Sequence, residues 1–262
     1  MDSILQKILA TKRQEIQIAK QQMPVAKLQQ QIPSAPAPRN FLAAINADPD
    51  VSLIAEVKKA SPSKGLIRED FDPVAIASAY AQAGATCISV LTDEQYFQGH
   101  LNYLTQIRAA VDKPLLRKDF IIDPYQVYQA RLAGADAVLL IAECLPPNQL
   151  AELHKLIVDL QMTPLVELHD AKNLDAVLAS GAKLVGINNR NLATFETDLN
   201  HCLRLRKQVP SDVSLVGESG IFTPADVELL RGANIDAMLV GESLMKSDDI
   251  ASAVKSLLSR QL

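Results

Sequence analysis

Five short apolar stretches of the chain end in side chains that can move protons or hold polar ligands. They carry Glu56 and Lys58 in LIAEVKKASPSKG, Lys118 in PLLRKDF, Glu167 in PLVELHD, Asn188 and Arg190 in VGINNRNL, and Glu218 with Ser219 in LVGESG. Residues two apart on an extended chain point to the same side, so Glu56 shares a face with Lys58 and Asn188 with Arg190. Burial raises the pKa of a carboxylic acid and lowers that of a lysine, while attraction between them opposes both shifts. Which influence prevails is open at the level of sequence. Either way, acids and bases within reach of one another are what proton-transfer chemistry at neutral pH requires. Ordinary surface salt bridges account poorly for five such ends, because strands covered on both sides have little reason to point ionisable groups inward unless they are used.

The elements that must hold these groups follow from the alternation of patterns beyond Val51. Strands are expected near Ser52–Lys58, Thr86–Thr92, Pro114–Lys118, Ala137–Ala142, Pro164–Leu168, Leu184–Asn188, Ser214–Glu218 and Ala237–Val240. Helical patterns fill the gaps at Pro73–Ala83, Pro124–Ala133, Pro147–Leu160 and Pro224–Arg231, each with proline in the first turn, where a missing N–H costs nothing. Eight strands, each followed by a helix, form a closed parallel (β/α)8 TIM barrel, an α/β fold whose active sites lie at the C-terminal ends of the strands. A weak repeat agrees with this. Gly84-Ala85, Gly134-Ala135, Gly181-Ala182 and Gly232-Ala233 each follow a helical pattern at intervals of about fifty residues, and glycine there suits a left-handed helix C-cap. Ahead of the barrel, residues 1–50 form an extension: an amphipathic helix over Asp2–Gln22, capped by Asp2 or Ser3, then the proline-rich arm QIPSAPAPRN. Residues 51–262 form the barrel.

The chain has 262 residues, 48% hydrophobic and 21% charged, with a net charge of -4. That balance belongs to a globular protein without a general attraction for nucleic acid, so an anionic ligand must be held by locally placed groups. Cys87, Cys144 and Cys202 are too scattered for a disulfide framework or a zinc site, and the four histidines suggest no cluster. No apolar run is long enough for a membrane span and the charged N-terminus does not read as a signal peptide, so the cytoplasm is the expected compartment. The strands expected seventh and eighth end in glycine, at GESGIFTP and VGESLM. Main-chain donors of Ser219, Gly220, Gly241 and Glu242 would there approach a phosphate closely.

The ordered set IAEVKKASPSKG, LTDEQYFQGHLNYL, LLRKDFIIDPYQV, LLIAECL, LVELHD, GINNRNL, VGESGI and VGESLM resembles that of the indole-3-glycerol-phosphate synthases, from about Phe41 to the C-terminus. The resemblance is to the form with a single function, and the N-terminal helix is similar to the extra helix that lies over the mouth in that family. It implies a metal-free and cofactor-free ring closure of 1-(2-carboxyphenylamino)-1-deoxyribulose 5-phosphate to indole-3-glycerol phosphate, with loss of carbon dioxide and water. It also implies Lys118 as general acid, Glu167 as base, Lys58 and Glu56 as a pair for dehydration and binding, and Asn188 with Arg190 as orienting groups. Ser61, Glu218 and Ser219 complete the polar lining by the same resemblance, and Phe97 and Phe120 hold the anthranilate ring. The implied partner is this small phosphorylated substrate; charge and hydropathy point to neither nucleic acid nor membrane, and a monomer or weak homo-oligomer is expected. In one departure, Gly241-Glu242 stands where many relatives have Gly-Ser. A carboxylate repels a phosphate, so Glu242 is expected to offer only its backbone N–H and to point its side chain away.

Two other readings fit the same inventory. One is a different phosphate-binding barrel enzyme, such as a sugar-phosphate isomerase or an aldolase in which Lys118 or Lys58 forms a Schiff base. The other is a barrel that binds a metabolite or a partner protein without turnover.

Overall fold

Alternation along eight short strands builds the molecule. The strands are β1 (Ser52–Val57), β2 (Cys87–Leu91), β3 (Leu115–Lys118), β4 (Ala137–Ile141), β5 (Thr163–Leu168), β6 (Leu184–Asn188), β7 (Ser214–Glu218) and β8 (Ala237–Val240). The computed structural model describes residues 4–191 and 195–259. Every neighbouring pair of these strands is parallel, and β1 pairs with β8 from Ser52↔Ala237 to Ala55↔Val240, which closes the sheet into a barrel. Along β1, Leu53, Ala55 and Val57 turn outwards into the apolar layer beneath the helices, whereas Ile54 faces the axis with Leu116, Leu139, Leu165, Leu184, Val216 and Leu239. The period of two then carries Glu56, Lys118, Glu167 and Glu218 to the same inner side one step further along than those apolar residues, and Asn188 two steps beyond Leu184. Acids and lysines therefore form the layer above an apolar plug.

Between the strands lie α4 (Pro73–Ala83), α5 (Leu101–Ala110), α6 (Pro124–Leu132), α7 (Pro147–Asp159), α8 (Leu174–Ala179), α9 (Asn200–Arg206) and α10 (Pro224–Gly232), with α11 (Glu242–Met245) and α12 (Ile250–Leu258) after β8. The prolines of α4, α6, α7 and α10 occupy the first turn, and α6 and α10 carry reciprocal capping boxes through Asp123/Gln126 and Thr223/Asp226. Three of the four Gly-Ala pairs behave as expected, with Gly84, Gly134 and Gly181 at φ of 112°, 86° and 88°. The fourth does not. Gly232 ends α10, and the left-handed residue is Asn234, at φ 55°. Asparagine tolerates that conformation, which moves the turn without breaking it.

The segment before β1 wraps the barrel from end to end. Helix α1 (Ile4–Gln22) lies at the C-terminal mouth, and the expected caps Asp2 and Ser3 fall outside the described residues. A second helix, α2 (Val25–Gln31), was not legible in the sequence because it is short and starts directly after Pro24. Ile16 of α1 and Leu28 of α2 pack on Tyr125 of α6, whose hydroxyl donates to the carbonyls of Ala19 and Met23 at 2.8 and 3.0 Å. The proline-rich arm then runs to the opposite end, where Asp136 accepts from Arg39 N at 2.6 Å and Arg108 donates to the Ala37 carbonyl. There α3 (Phe41–Ile45), capped by Asn40, drives Phe41 and Ile45 into the barrel's floor. No helix among the described residues is long and apolar enough to cross a membrane.

Candidate active site

One cavity opens at the C-terminal ends of the strands, and it is lined by every residue singled out in the sequence: Glu56, Lys58, Ser61, Phe97, Lys118, Phe120, Glu167, Asn188, Arg190, Glu218, Ser219, Gly220, Gly241 and Glu242. Its centre is the Lys118 ammonium. Nζ lies 3.2 Å from Glu167 Oε2 and 3.5 Å from Glu218 Oε2, and both carboxyl groups are almost wholly buried. Burial alone would lower the Lys118 pKa, but Glu167, Glu218 and Glu56 around it raise it above the ordinary lysine value. Attraction prevails over desolvation at this lysine. Glu218 is the counterpart. Burial raises its pKa well above the usual carboxylate range, and the neighbouring Glu167 pushes it in the same direction against the pull of Lys118. Glu167 and Glu218 are therefore coupled, and burial beside a second carboxyl group favours the protonated form of Glu218.

The second acid is held differently. Burial works to raise the Glu56 pKa, but Lys58, which pairs directly with it, and then Lys118 and Arg190 hold it below the usual carboxylate range. Both acids rest over glycines: a Cβ on Gly241, just past β8, would overlap Glu56 Oε2, and one on Gly186 of β6 would overlap Glu218 Oε1. Glycine is the residue that leaves these slots open.

Asn188 connects the acids to the rim. Its Nδ2 donates to Glu167 Oε1 at 3.0 Å, and its Oδ1 accepts from the Arg190 backbone N–H at 3.0 Å. After β7 the chain turns through Ser219 and Gly220 at φ 66° and 78°, with the Ser219 carbonyl fixed by Asn189 Nδ2 at 3.1 Å. Successive left-handed residues suit a turn that presents backbone N–H groups to an anion. On the other wall, Phe97 and Phe120 stand with ring centroids 6.1 Å apart, tilted by 42°. Ser61 belongs to a small antiparallel hairpin, Ala60–Ser61 with Gly65–Leu66, beside this wall.

Two expectations are corrected here. Glu242 does not point its side chain away. Its carboxylate lines the cavity and binds Arg190 at 3.2 Å, Lys64 at 3.5 Å and Lys246 at 2.8 Å. The histidines are not all scattered either. His169 and His201 stack with centroids 4.7 Å apart; the His169 Nδ1 lies 2.7 Å from the Asn188 carbonyl and the His201 Nε2 lies 2.6 Å from that of His169. The pair props the end of β6 from outside.

The sequence reading missed what ties the lid to the mouth. Ile4, Leu5 and Ile8 of α1 line the cavity. One turn on, Lys12 is buried against Asp93 at 2.8 Å and Asp119 at 3.1 Å, with Glu15 at 2.8 Å. Burial would lower the Lys12 pKa, yet the two aspartates raise it above the ordinary lysine value. Asp119, next to Lys118 in sequence, also pairs with Arg117 at 3.1 Å and accepts from the Thr92 hydroxyl at 2.6 Å. The signal was present in LTDEQ and RKDF, two further acids just past strand ends, but its cation comes from far away in the chain.

This geometry has relatives. Residues 5–257 match the family model described as indole-3-glycerol phosphate synthase. The chain belongs to the indole-3-glycerol phosphate synthase family. Curated members include one from Rhodopirellula baltica, 56% identical over 257 residues that cover 98% of this chain and 99% of the relative. Others come from Polaromonas sp., 50% identical with 98% of each chain covered, and from Bordetella pertussis, 51% identical over 95% of this chain and 96% of the relative. Among solved structures, the KGPDC of Streptococcus mutans superposes with a TM-score of 0.61 at 15% identity, covering 79% of this chain and 95% of its own. That likeness concerns the barrel alone.

Proposed function

We propose that this chain, like the synthases it resembles, closes 1-(2-carboxyphenylamino)-1-deoxyribulose 5-phosphate to indole-3-glycerol phosphate. The observation that carries the reading is the Lys118 ammonium held between Glu167 and Glu218, below turns of the kind that cradle phosphate. The phosphate binds the backbone N–H groups of Gly220, Gly241 and Glu242, with the Arg190 guanidinium beside them. The anthranilate ring packs on Phe97 and Phe120 under Ile4, Leu5 and Ile8 of α1.

With the substrate so oriented, the ring carbon bearing the carboxylate attacks the ribulose carbonyl, and Lys118 gives its proton to the carbonyl oxygen as the C–C bond forms. The carboxylate leaves as carbon dioxide, and its electron pair restores the aromatic ring. The hydroxyl then departs as water with a second proton, in a step the Lys58/Glu56 pair supports, and Glu167 takes the C–H proton whose loss completes the indole. Two protons enter and one leaves, which balances the loss of a carboxylate. Ser61, Asn188 and Ser219 orient the polar groups of the open-chain sugar. Every group named comes from one chain, so the reaction needs no residue from a second subunit.

The test is fluorescence of the indole product on adding substrate to the purified protein; because the chain has no tryptophan, the signal is the product's own. A folded protein that gives none sinks the reading. The glycine slots provide a finer check. Gly186→Ala would force Glu218 off its seat, and a displacement of about 1 Å in such a site costs about a hundredfold in kcat. Unchanged kcat in that variant would mean that the seat of Glu218 has no bearing on turnover.

A further inference from the structure

Glu242 is an anion in a pocket otherwise fitted for one. Its neighbours in the cavity are the glycine turns at Gly220 and Gly241 and the cations Arg190 and Lys64. The two carboxylate oxygens have different partners. Oε2 accepts from Arg190 Nη2 at 3.2 Å, while Oε1 lies 2.8 Å from Lys246 and 3.5 Å from Lys64. The three cations come from separate parts of the chain. Arg190 follows β6 and is steadied by Thr197 Oγ1 at 3.3 Å, Lys64 sits in the tip of the hairpin after β1, and Lys246 closes α11. Glu242 is largely buried, with 13% of its side chain exposed, and its pKa is held down to about 2; burial works against that, and the bonds to Lys246 and Arg190 overcome it. It therefore carries full charge wherever the protein is folded and working.

We propose that Glu242 stands in for the substrate phosphate: its carboxylate occupies Arg190 and Lys64 until the phosphate displaces it, and so sets how tightly the pocket holds a phosphate monoester. This deepens the reading above and rests on it for the location of the phosphate. The exchange is local, because Oε1 keeps Lys246 when Oε2 gives up Arg190, so the displaced carboxylate stays paired and need not be driven into solvent. A carboxylate and a phosphate dianion competing for one guanidinium lower the affinity for substrate and for product alike. Arg190 also acts on Glu56, whose pKa it shares in lowering. A serine at the same position would leave both cations free for the phosphate.

The experiment measures inorganic phosphate binding to the intact protein by calorimetry, and phosphate as a competitive inhibitor of turnover, in wild type, Glu242→Gln, Glu242→Ser and Arg190→Gln. Removing a competing ion pair of this exposure is expected to tighten phosphate about tenfold in both Glu242 variants, with KM falling in step. Adding Arg190→Gln to either variant should cancel the gain. A role confined to holding α11 together would give equal or weaker phosphate binding, and that result from folded Glu242→Gln or Glu242→Ser overturns the proposal. Wild-type turnover judges the reaction reading separately: a protein that makes no indole but tightens on phosphate in the variants loses the reaction and keeps the stand-in.

Discussion

Lys118→Ala is expected to lower kcat by about a thousandfold or more, within the range that a positioned general acid contributes. The substitution removes the proton donor and also strips the shared cation from Glu167 and Glu218, two acids with almost no access to solvent. Left together without it, they would draw protons from water and take up a different pairing, so the base would be compromised along with the acid. The indole signal in single-turnover mode reads the loss directly. A variant that keeps a tenth of the wild-type rate would show that the proton comes from elsewhere. The raised pKa of Lys118 has a consequence for the wild type as well: the group stays an ammonium through the neutral range and beyond the ordinary lysine value. A pH–rate profile should therefore show no Lys118 limb through the neutral range, and an alkaline limb well below the ordinary lysine value would show that Lys118 is not the acid.

The second large effect is on stability. Lys12→Met should cost about 3–5 kcal/mol, because taking one partner from a buried ion cluster leaves the others charged and unpaired. Asp119 keeps Arg117 and Thr92, but among the described residues Asp93 Oδ2 has no donor besides the Lys12 ammonium at 2.8 Å. The melting temperature is expected to fall by roughly 10 °C for a chain of this size. Trypsin should cut within α1 sooner, since that helix would lose its polar anchor and keep only its apolar face. A melting temperature within a degree of wild type would mean that the aspartates find solvent without the lysine. Lys12→Met combined with Asp93→Asn should recover part of the loss, the mark of a cluster destabilised by unpaired charge.

These residues also show where reading the sequence succeeds and where it stops. The barrel strands are expected within a residue or so of where they lie, because inner and outer faces are both apolar and the runs end sharply in charge, glycine or proline. The inward set from Glu56 to Glu218 follows from the same alternation, which needs no knowledge of distant contacts. Lys12 could not be found that way. On the helix it sits among Lys7, Arg13 and Gln14 and three residues before Glu15, the pattern of a solvated face, and only the docking of α1 on Asp93 and Asp119 buries it. Glu242 failed for a related reason. Repulsion by a bound phosphate was a sound argument about the liganded pocket, but in the free protein the same cations attract the nearest carboxylate. The stacked His169 and His201 likewise meet from the end of β5 and the start of α9, which spacing along the chain does not reveal.

The seam of the barrel bears on how the protein is made. Glu56 leaves β1 near the start of the chain, yet its seat is Gly241, just past the last strand, and β1 finds its second neighbour only in β8. A chain emerging from the ribosome therefore carries half of its acid–base machinery long before the other wall of that site exists. Folding must hold the first strand's open edge apart from other chains until β8 arrives, which makes the nascent protein most prone to aggregation in its last stretch of synthesis. A product shortened by even the final strand would lack both the Glu56 seat and the strand that closes the sheet on β1, so incomplete chains would be inactive.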